Sequence, residues 1–247
     1  MGQLPRFATT GATLYIPFIA VGSLILASAL FGIAVPASAT VATSKATAPE
    51  LAAAKTKLLQ ISDLHGKWTQ SPYGKGSTGT GGGGSSGSGP GECDLPEPGV
   101  AQNPAFVNSP YFDQKGSDLE VQEEINVFPN SAQALKDLKF GGTVGVQQCF
   151  IQVFNQQKKA LAKSIGKGVM VGNVTAKSIA LPTYGQGTSD IRVSVPIIGA
   201  GSTMDLYEDN VVVVQGRFEA LIDETNFQAP ISSTLAGQID QVVANKL

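Results

Sequence analysis

The sequence predicts an α+β fold in which a single antiparallel β-sheet with a long C-terminal hairpin is flanked by helices. The first observation behind this prediction is the run Val211–Val214, because four consecutive β-branched residues are typical of a buried strand. Gln215-Gly216 follows, and glycine adopts the positive φ that a two-residue hairpin turn requires. Apolar and polar side chains then alternate over residues 218–223, which places Glu219 and Asp223 opposite a buried face. We therefore expect this hairpin at the centre of the sheet.

The composition limits the classes of function. Hydrophobic residues make up 42% and charged residues 15% of the 247 residues, which suits a globular domain. The formal net charge is −2, whereas a nucleic-acid-binding surface needs grouped lysine and arginine side chains. Lys158, Lys159 and Lys163 come nearest to such a group, and we interpret them as the solvated face of a helix. Nucleic acid is therefore not an expected partner.

Residues 1–39 have the pattern of an export signal. Arg6 precedes an apolar stretch over residues 14–35, and Ala37-Ser38-Ala39 matches a signal peptidase site. The apolar stretch is also long enough to span a bilayer, so two readings remain: a cleaved signal peptide, or a retained anchor that associates the protein with the membrane. Both predict an extracytoplasmic protein, secreted or anchored. Residues 40–48 are expected to be a tether before a domain of residues 49–247.

The domain is predicted to begin with a helix from Pro49 to Gln60, followed by a cluster that contains Ser62, Asp63 and His65, the only histidine. A nucleophile–base arrangement rarely arises from neighbours in sequence, because the fold normally brings such groups together. We expect instead that Ser62 or Asp63 caps a turn and that Trp68 packs on the core.

Residues 74–91 form a Gly/Ser-rich insertion that we predict to be disordered. Ten of these 18 residues are glycine, so the match of Gly74, Gly76 and Gly79 to a dinucleotide-binding pattern is expected by chance. No apolar strand precedes the match and no helical pattern follows it. The segment therefore predicts a flexible coil and no nucleotide cofactor.

Cys93 and Cys149 are the only two cysteines. In an exported chain the simplest prediction is that they form a disulfide. A metal site would need more soft ligands than two thiols and one histidine provide, so neither a metal nor another cofactor is expected.

The middle of the chain is predicted to hold a loop, a strand and two helices. The loop contains Pro96, Pro98, Pro104 and Pro110. The strand is Leu119–Val127, in which Glu123 and Glu124 point to opposite faces and are expected to be solvated or rim carboxylates rather than a catalytic pair.

The first helix is predicted to start at Pro129-Asn130-Ser131, with Asn130 or Ser131 as its N-cap, and Gly141-Gly142 should end it. The second helix should begin at about Thr143. The second helix should end near Lys163. Its inward residues are predicted to be Val146, Phe150, Val153, Phe154 and Leu161.

Strands are then predicted over residues 169–181 and 189–198, before the hairpin. A last helix should begin at Pro230–Ser233, with Leu235, Ile239, Val242 and Val243 forming its buried stripe.

This arrangement resembles the actinobacterial extracellular sensor-domain family, typified by the external domain of PknH-type Ser/Thr protein kinases. The resemblance rests on the leader, the spacer before the first cysteine, the second cysteine on a helix, the run V-V-V-V-Q-G-R-F and an L-L-x-x-x-D-L-x-x-x-W element. In this chain that element consists of Leu58, Leu59, Asp63, Leu64 and Trp68. The resemblance implies an antiparallel sheet flanked by helices, a Cys93–Cys149 disulfide and a cleft for a ligand. The chain departs from the kinases because it has no kinase domain and no cysteines for a second disulfide.

The expected function is an exported, non-enzymatic ligand-binding or sensor-like domain of the cell envelope. Its partner would be a small molecule or an envelope component, and the sequence does not assign the lining residues. One alternative is a structural or partner-binding envelope protein that uses a sheet edge or the loop of residues 96–110. A less favoured one is a secreted hydrolase with Ser62, His65 and Asp63 or Glu123 as its catalytic groups.

Overall fold

The computed structural model describes residues 46–71, 104–199 and 202–247. Four predicted features lie outside these ranges: the leader of residues 1–39, most of the tether, the Gly/Ser-rich insertion of residues 74–91, and Cys93. None of the helices within the described ranges is long and apolar enough to cross a membrane.

The described residues contain one antiparallel sheet of nine strands, which confirms the predicted fold class. Its main path runs β1-β3-β4-β9-β8-β7-β5, while β2 pairs with β4 and β6 pairs with β7. The strands are β1 (Trp68–Ser71), β2 (Ala105–Asn108), β3 (Tyr111–Gln114), β4 (Glu120–Val127), β5 (Met170–Val171), β6 (Thr175–Ser178), β7 (Gly187–Gly199), β8 (Ser202–Gln215) and β9 (Phe218–Phe227).

The hairpin of β8 and β9 lies at the centre of this path, as predicted. Gln215 pairs with Phe218, so the two turn residues are Gly216 and Arg217, one position later than expected. Gly216 has φ of +62° and Arg217 is not left-handed, which is the pattern of a type II′ turn. This turn matches the right-handed twist of the long strands on either side.

Four α-helices of the described ranges flank the sheet: α1 (Ala48–Lys57), α2 (Ser131–Gly141), α3 (Val144–Ile165) and α4 (Ser233–Lys246). The starts of α2, α3 and α4 are capped by the side-chain oxygens of Asn130, Thr143 and Ser232. The predicted inward residues of α3 are all buried. Helix α1 ends three residues earlier than predicted, so Leu58 and Leu59 enter the core after the helix rather than from it.

The helices cover both faces of the sheet. Helices α1 and α4 pack on one face, which we call the α4 face, against apolar residues of β4, β8 and β9. Helices α2 and α3 pack on the other, the α3 face, against β7 and β8. Because both faces are covered, the central strands are buried on both sides, and polar residues placed on them lose contact with water.

Two parts of the sheet differ from the sequence prediction. The Pro-rich segment, expected to be a loop, contains strand β2 at Ala105–Asn108, and β1 and β3 were not predicted at all. Each of these strands has only four residues, too few for a clear alternation. They form the sheet edge beyond β4, and β4 is therefore an interior strand.

Candidate functional site

A group of ionisable side chains lies on the α4 face, where the register of the central strands places it. Glu224 of β9 pairs with Asp209 of β8, and Asp209 pairs with Arg192 of β7, so the three side chains form one row across the sheet. Asp190 lies two positions before Arg192 and shares its face. Asp240 of α4 is fully buried and adds a further carboxyl group. We call these five residues the carboxyl cluster.

Arg192 and Asp209 form the one bidentate ion pair of the cluster. The Nε of Arg192 donates to Oδ1 of Asp209 at 2.6 Å, and the second guanidinium nitrogen donates to Oδ2 at 2.7 Å. The Arg192 side chain retains 18% exposure and that of Asp209 only 3%. This fork-to-fork geometry satisfies both oxygens of Asp209, and it fixes the guanidinium at the solvent side of the cluster.

The remaining carboxyl groups lack such partners. Both oxygens of Glu224, both oxygens of Asp240 and Oδ1 of Asp190 are buried without a hydrogen bond. Leaving a buried polar atom unpaired costs about 1–3 kcal/mol each, and native proteins contain few of them. The cluster therefore requires protons, water or a bound donor to satisfy these oxygens.

The pKa values of these groups are raised. Burial raises the pKa of Asp240 to about 7, and the nearby Asp209 adds to the effect. Burial, followed by repulsion from Asp209, raises the pKa of Asp190 to about 8. Burial raises the pKa of Glu224 well above its usual range, and Asp240 and Asp209 add to this rise. In the absence of a ligand, protons therefore neutralise these carboxyl groups near neutral pH.

Two tyrosines interact with members of the cluster. Tyr184 and Tyr207 are half-buried, and electrostatic interactions link Tyr184 to Asp240 and Tyr207 to Arg192. The Tyr184 hydroxyl lies beside Gly237 on α4, where an added Cβ would come within 3.2 Å of it.

The α3 face carries a second polar group. Asn126 donates to Oε1 of Glu219 at 3.3 Å, while Oε2 of Glu219 is buried without a partner. Burial, and then the neighbouring Asp137 of α2, raise the pKa of Glu219. The prediction that Glu219 lies opposite the buried face was incomplete, because α2 covers this side and Glu219 is also fully buried.

The prediction that Glu123 and Glu124 are solvated or rim carboxylates was wrong. Both are buried, because β4 lies between β9 on one side and β2 and β3 on the other. They do point to opposite faces, as expected. Oε2 of Glu123 accepts a hydrogen bond from the Leu59 amide at 2.6 Å, and burial raises the pKa of Glu123 to about 7. Glu123 thus fixes the chain that leaves α1.

Glu123→Leu is expected to lower the free energy of unfolding by about 1–3 kcal/mol, because the buried Leu59 amide loses its acceptor. Glu123→Gln keeps an acceptor oxygen and removes the ionisable group, so its stability at pH 8 should equal or exceed that of the wild type. Urea unfolding measures the stability of both variants. Equal stability of Glu123→Leu and wild type would show that the hydrogen bond to Leu59 contributes nothing.

The residues considered for a hydrolase are not brought together. Ser62 and His65 are exposed, and no hydrogen bond joins their side chains in the described part of the chain. Oδ2 of Asp63 accepts from the Gln60 amide at 2.7 Å within a short 3-10 helix, Ile61–Asp63, and Asp63 also pairs with Lys246. The Trp68 indole is buried and donates to the His65 carbonyl at 3.0 Å. The predictions of a capped turn and a docked tryptophan are confirmed.

The predicted disulfide involves one residue outside the described ranges, Cys93, so this pairing stays a prediction. Cys149 is buried on α3. The described residues contain no free cysteine and no group of three or more His, Cys, Asp or Glu side chains placed to hold a metal ion.

Comparison with solved structures finds a loose structural likeness to an extracellular domain. The extracellular domain of PknH from Mycobacterium tuberculosis matches with a TM-score of 0.30 and 14% sequence identity. The match covers 57% of this chain and 63% of that domain, which is less than two thirds of its length. No family model and no curated protein matches the chain. A loose likeness to a sensor domain is therefore found, whereas membership of that family stays a prediction.

Proposed function

We propose that this protein is an exported, non-enzymatic ligand-binding domain of the cell envelope and that the carboxyl cluster is its recognition site. The observation that carries the proposal is the set of four carboxyl oxygens on Glu224 and Asp240, all buried and all without a hydrogen bond. The export-signal pattern of residues 1–39 supports the extracytoplasmic location.

The cluster favours a ligand that donates hydrogen bonds and carries positive charge. Arg192 neutralises Asp209, so Asp190, Glu224 and Asp240 together hold three negative charges when ionised. An ammonium or guanidinium group would supply both donors and compensating charge, and charge-assisted hydrogen bonds are stronger than neutral ones. The half-buried Tyr184 and Tyr207 offer aromatic faces that suit the same class of ligand.

The raised pKa values add a pH dependence to this proposal. A cationic ligand binds the ionised carboxylates, so protons must leave the cluster when it binds. The affinity is therefore expected to increase from about pH 5.5 to about pH 8, a range that includes the pKa of Asp240. A neutral ligand that binds the protonated carboxyl groups would show the opposite trend.

Thermal denaturation with arginine, spermidine and a neutral sugar as probes tests the proposal. A ligand that binds only the folded state raises the midpoint as its concentration exceeds the Kd, and we expect this with a cationic probe and not with the sugar. Asp240→Asn should abolish the rise. Asp137→Asn changes a buried carboxyl group on the other face of the sheet and should preserve it. An equal rise of the midpoint in Asp240→Asn and in the wild type would count against the carboxyl cluster as the site. So would the absence of any rise with both arginine and spermidine.

A further inference from the structure

Positive charge is concentrated in one part of this acidic chain. Residues 143–203 contain five lysines and one arginine against a single acidic residue, Asp190. The rest of the chain holds 11 basic and 18 acidic residues. Four of the lysines lie within ten residues, at the C-terminal end of α3 and directly after it. The C-terminal end of α3 is therefore rich in lysine although the chain as a whole is slightly acidic.

A cavity of about 480 Å³ lies at this position, between the last turns of α3 and the end strand β5. Its volume is in the range of small-molecule sites. The side chains around it are of two kinds, cationic on the helix and apolar on the strand side. They include Lys158, Lys159, Lys163, Val169, Met170 and Val171. Met170 is 62% exposed and is one of three exposed large apolar residues in the described ranges, together with Ile61 and Val144.

Helix capping does not account for all of these lysines. Lys163 lies in the last turn of α3, where a cation complements the helix carbonyls. That effect falls off within one turn, and Lys158 and Lys159 lie before it. None of the three lysines forms an ion pair with a residue in the described ranges. Three unpaired cations therefore border one cavity with an apolar wall.

We propose that this cavity binds the phosphate headgroup of an anionic phospholipid, so that the β5 edge of the domain rests on a membrane surface. Lys158, Lys159 and Lys163 would bind the phosphate, and Met170 would enter the boundary between headgroups and acyl chains. Basic side chains next to an exposed apolar residue are the combination that anionic bilayers bind. Each lysine is expected to strengthen the association about fivefold, and the three together about a hundredfold.

The test uses the full chain with Met170→Trp in vesicles whose acyl chains carry bromine, which quenches nearby indoles. Trp68 is the only native tryptophan, is buried, and lies in β1 at the opposite end of the sheet path from β5, so it serves as an internal control. We expect quenching at position 170 with phosphatidylglycerol vesicles at low salt, and little with phosphatidylcholine vesicles or at high salt.

The charge requirement is tested in the same Met170→Trp background. The triple change Lys158→Gln, Lys159→Gln and Lys163→Gln should reduce the quenching to the phosphatidylcholine level. The matched control changes three exposed lysines elsewhere, Lys55, Lys67 and Lys115, to Gln and should leave the quenching intact. Because both triples keep the leader, binding through residues 14–35 cannot produce a difference between them.

Three outcomes would overturn the proposal. Equal quenching with both kinds of vesicle would show that charge plays no part. An equal loss in the two lysine triples would show that only the net charge matters. Complete protection from quenching by a low concentration of inorganic phosphate would assign the cavity to free phosphate rather than to a membrane.

Discussion

Arg192→Leu is expected to lower the free energy of unfolding by about 3–5 kcal/mol, because it leaves Asp209 buried without the guanidinium that binds both of its oxygens. Leucine keeps part of the aliphatic volume of the side chain, so the loss reports mainly on the charge. Asp209 has a side-chain exposure of 3% and receives both of its short hydrogen bonds from Arg192. It also lies in one row with Glu224, whose carboxyl group would then face an uncompensated neighbour. Urea unfolding at pH 7 provides the measurement.

Two further variants show whether the loss of stability arises from the unpaired, buried charge of Asp209. Asp209→Leu in the Arg192→Leu background removes that charge and should restore most of the stability, since apolar replacement of a buried ion pair is often neutral. Glu50→Gln breaks the half-exposed pair of Glu50 with Arg217 and should have a far smaller effect than Arg192→Leu. A small loss in Arg192→Leu, or no recovery in the double variant, would contradict the assigned role of the ion pair.

The ligand-free protein is expected to become less stable as the pH rises from about 5 to about 7, by roughly 3 kcal/mol or more. The folded state keeps protons on Asp190, with a pKa of about 8, and on Asp240, with a pKa of about 7. The unfolded state releases them near the ordinary aspartate pKa. Folding therefore binds protons in this range, and each retained proton lowers the free energy of unfolding by about 1.4 kcal/mol per pH unit. Most globular proteins instead have maximal stability between about pH 5 and 8.

Asp240→Asn removes one of the carboxyl groups that retain a proton in the folded state. The variant should be at least as stable as the wild type at pH 8, and its stability should fall less steeply with pH. Lys163→Gln provides a control, because it removes an exposed charge distant from the carboxyl cluster and should leave the slope unchanged. Identical slopes for Asp240→Asn and wild type would mean that Asp240 is ionised in the folded protein. Denaturant midpoints measured at intervals of one pH unit give the slope of stability against pH for each protein.

The sequence predicts those parts of the fold that follow from periodicity. The run of β-branched residues, the glycine turn and the apolar stripe of α3 each depend on neighbours in sequence, and each is found in the structure. Strands β1 to β3 were missed because four residues give too short a pattern. Their absence from the prediction led directly to the error about Glu123 and Glu124, since a β4 without outer neighbours would form a sheet edge open to water.

The carboxyl cluster could not be predicted from sequence for a different reason. Asp190, Asp209, Glu224 and Asp240 are separated along the chain, and only the pairing register of three strands and the placement of α4 bring them together. A carboxylate in an alternating strand is normally read as facing solvent, which is wrong when helices cover both faces. One weak signal existed: Asp240 directly follows Ile239 and lies within the apolar stripe of a helix.

Native mass spectrometry of the protein purified from the cells that produce it tests directly whether the carboxyl cluster holds a ligand. Wild type and the double variant Glu224→Gln/Asp240→Asn would be compared under native and then denaturing conditions. We expect extra mass on the wild type in the native spectrum only, absent from the variant, with a basic group in the released molecule. The same extra mass on both proteins would place the ligand elsewhere. A wild type free of added mass would contradict the assignment of the carboxyl cluster as a ligand site.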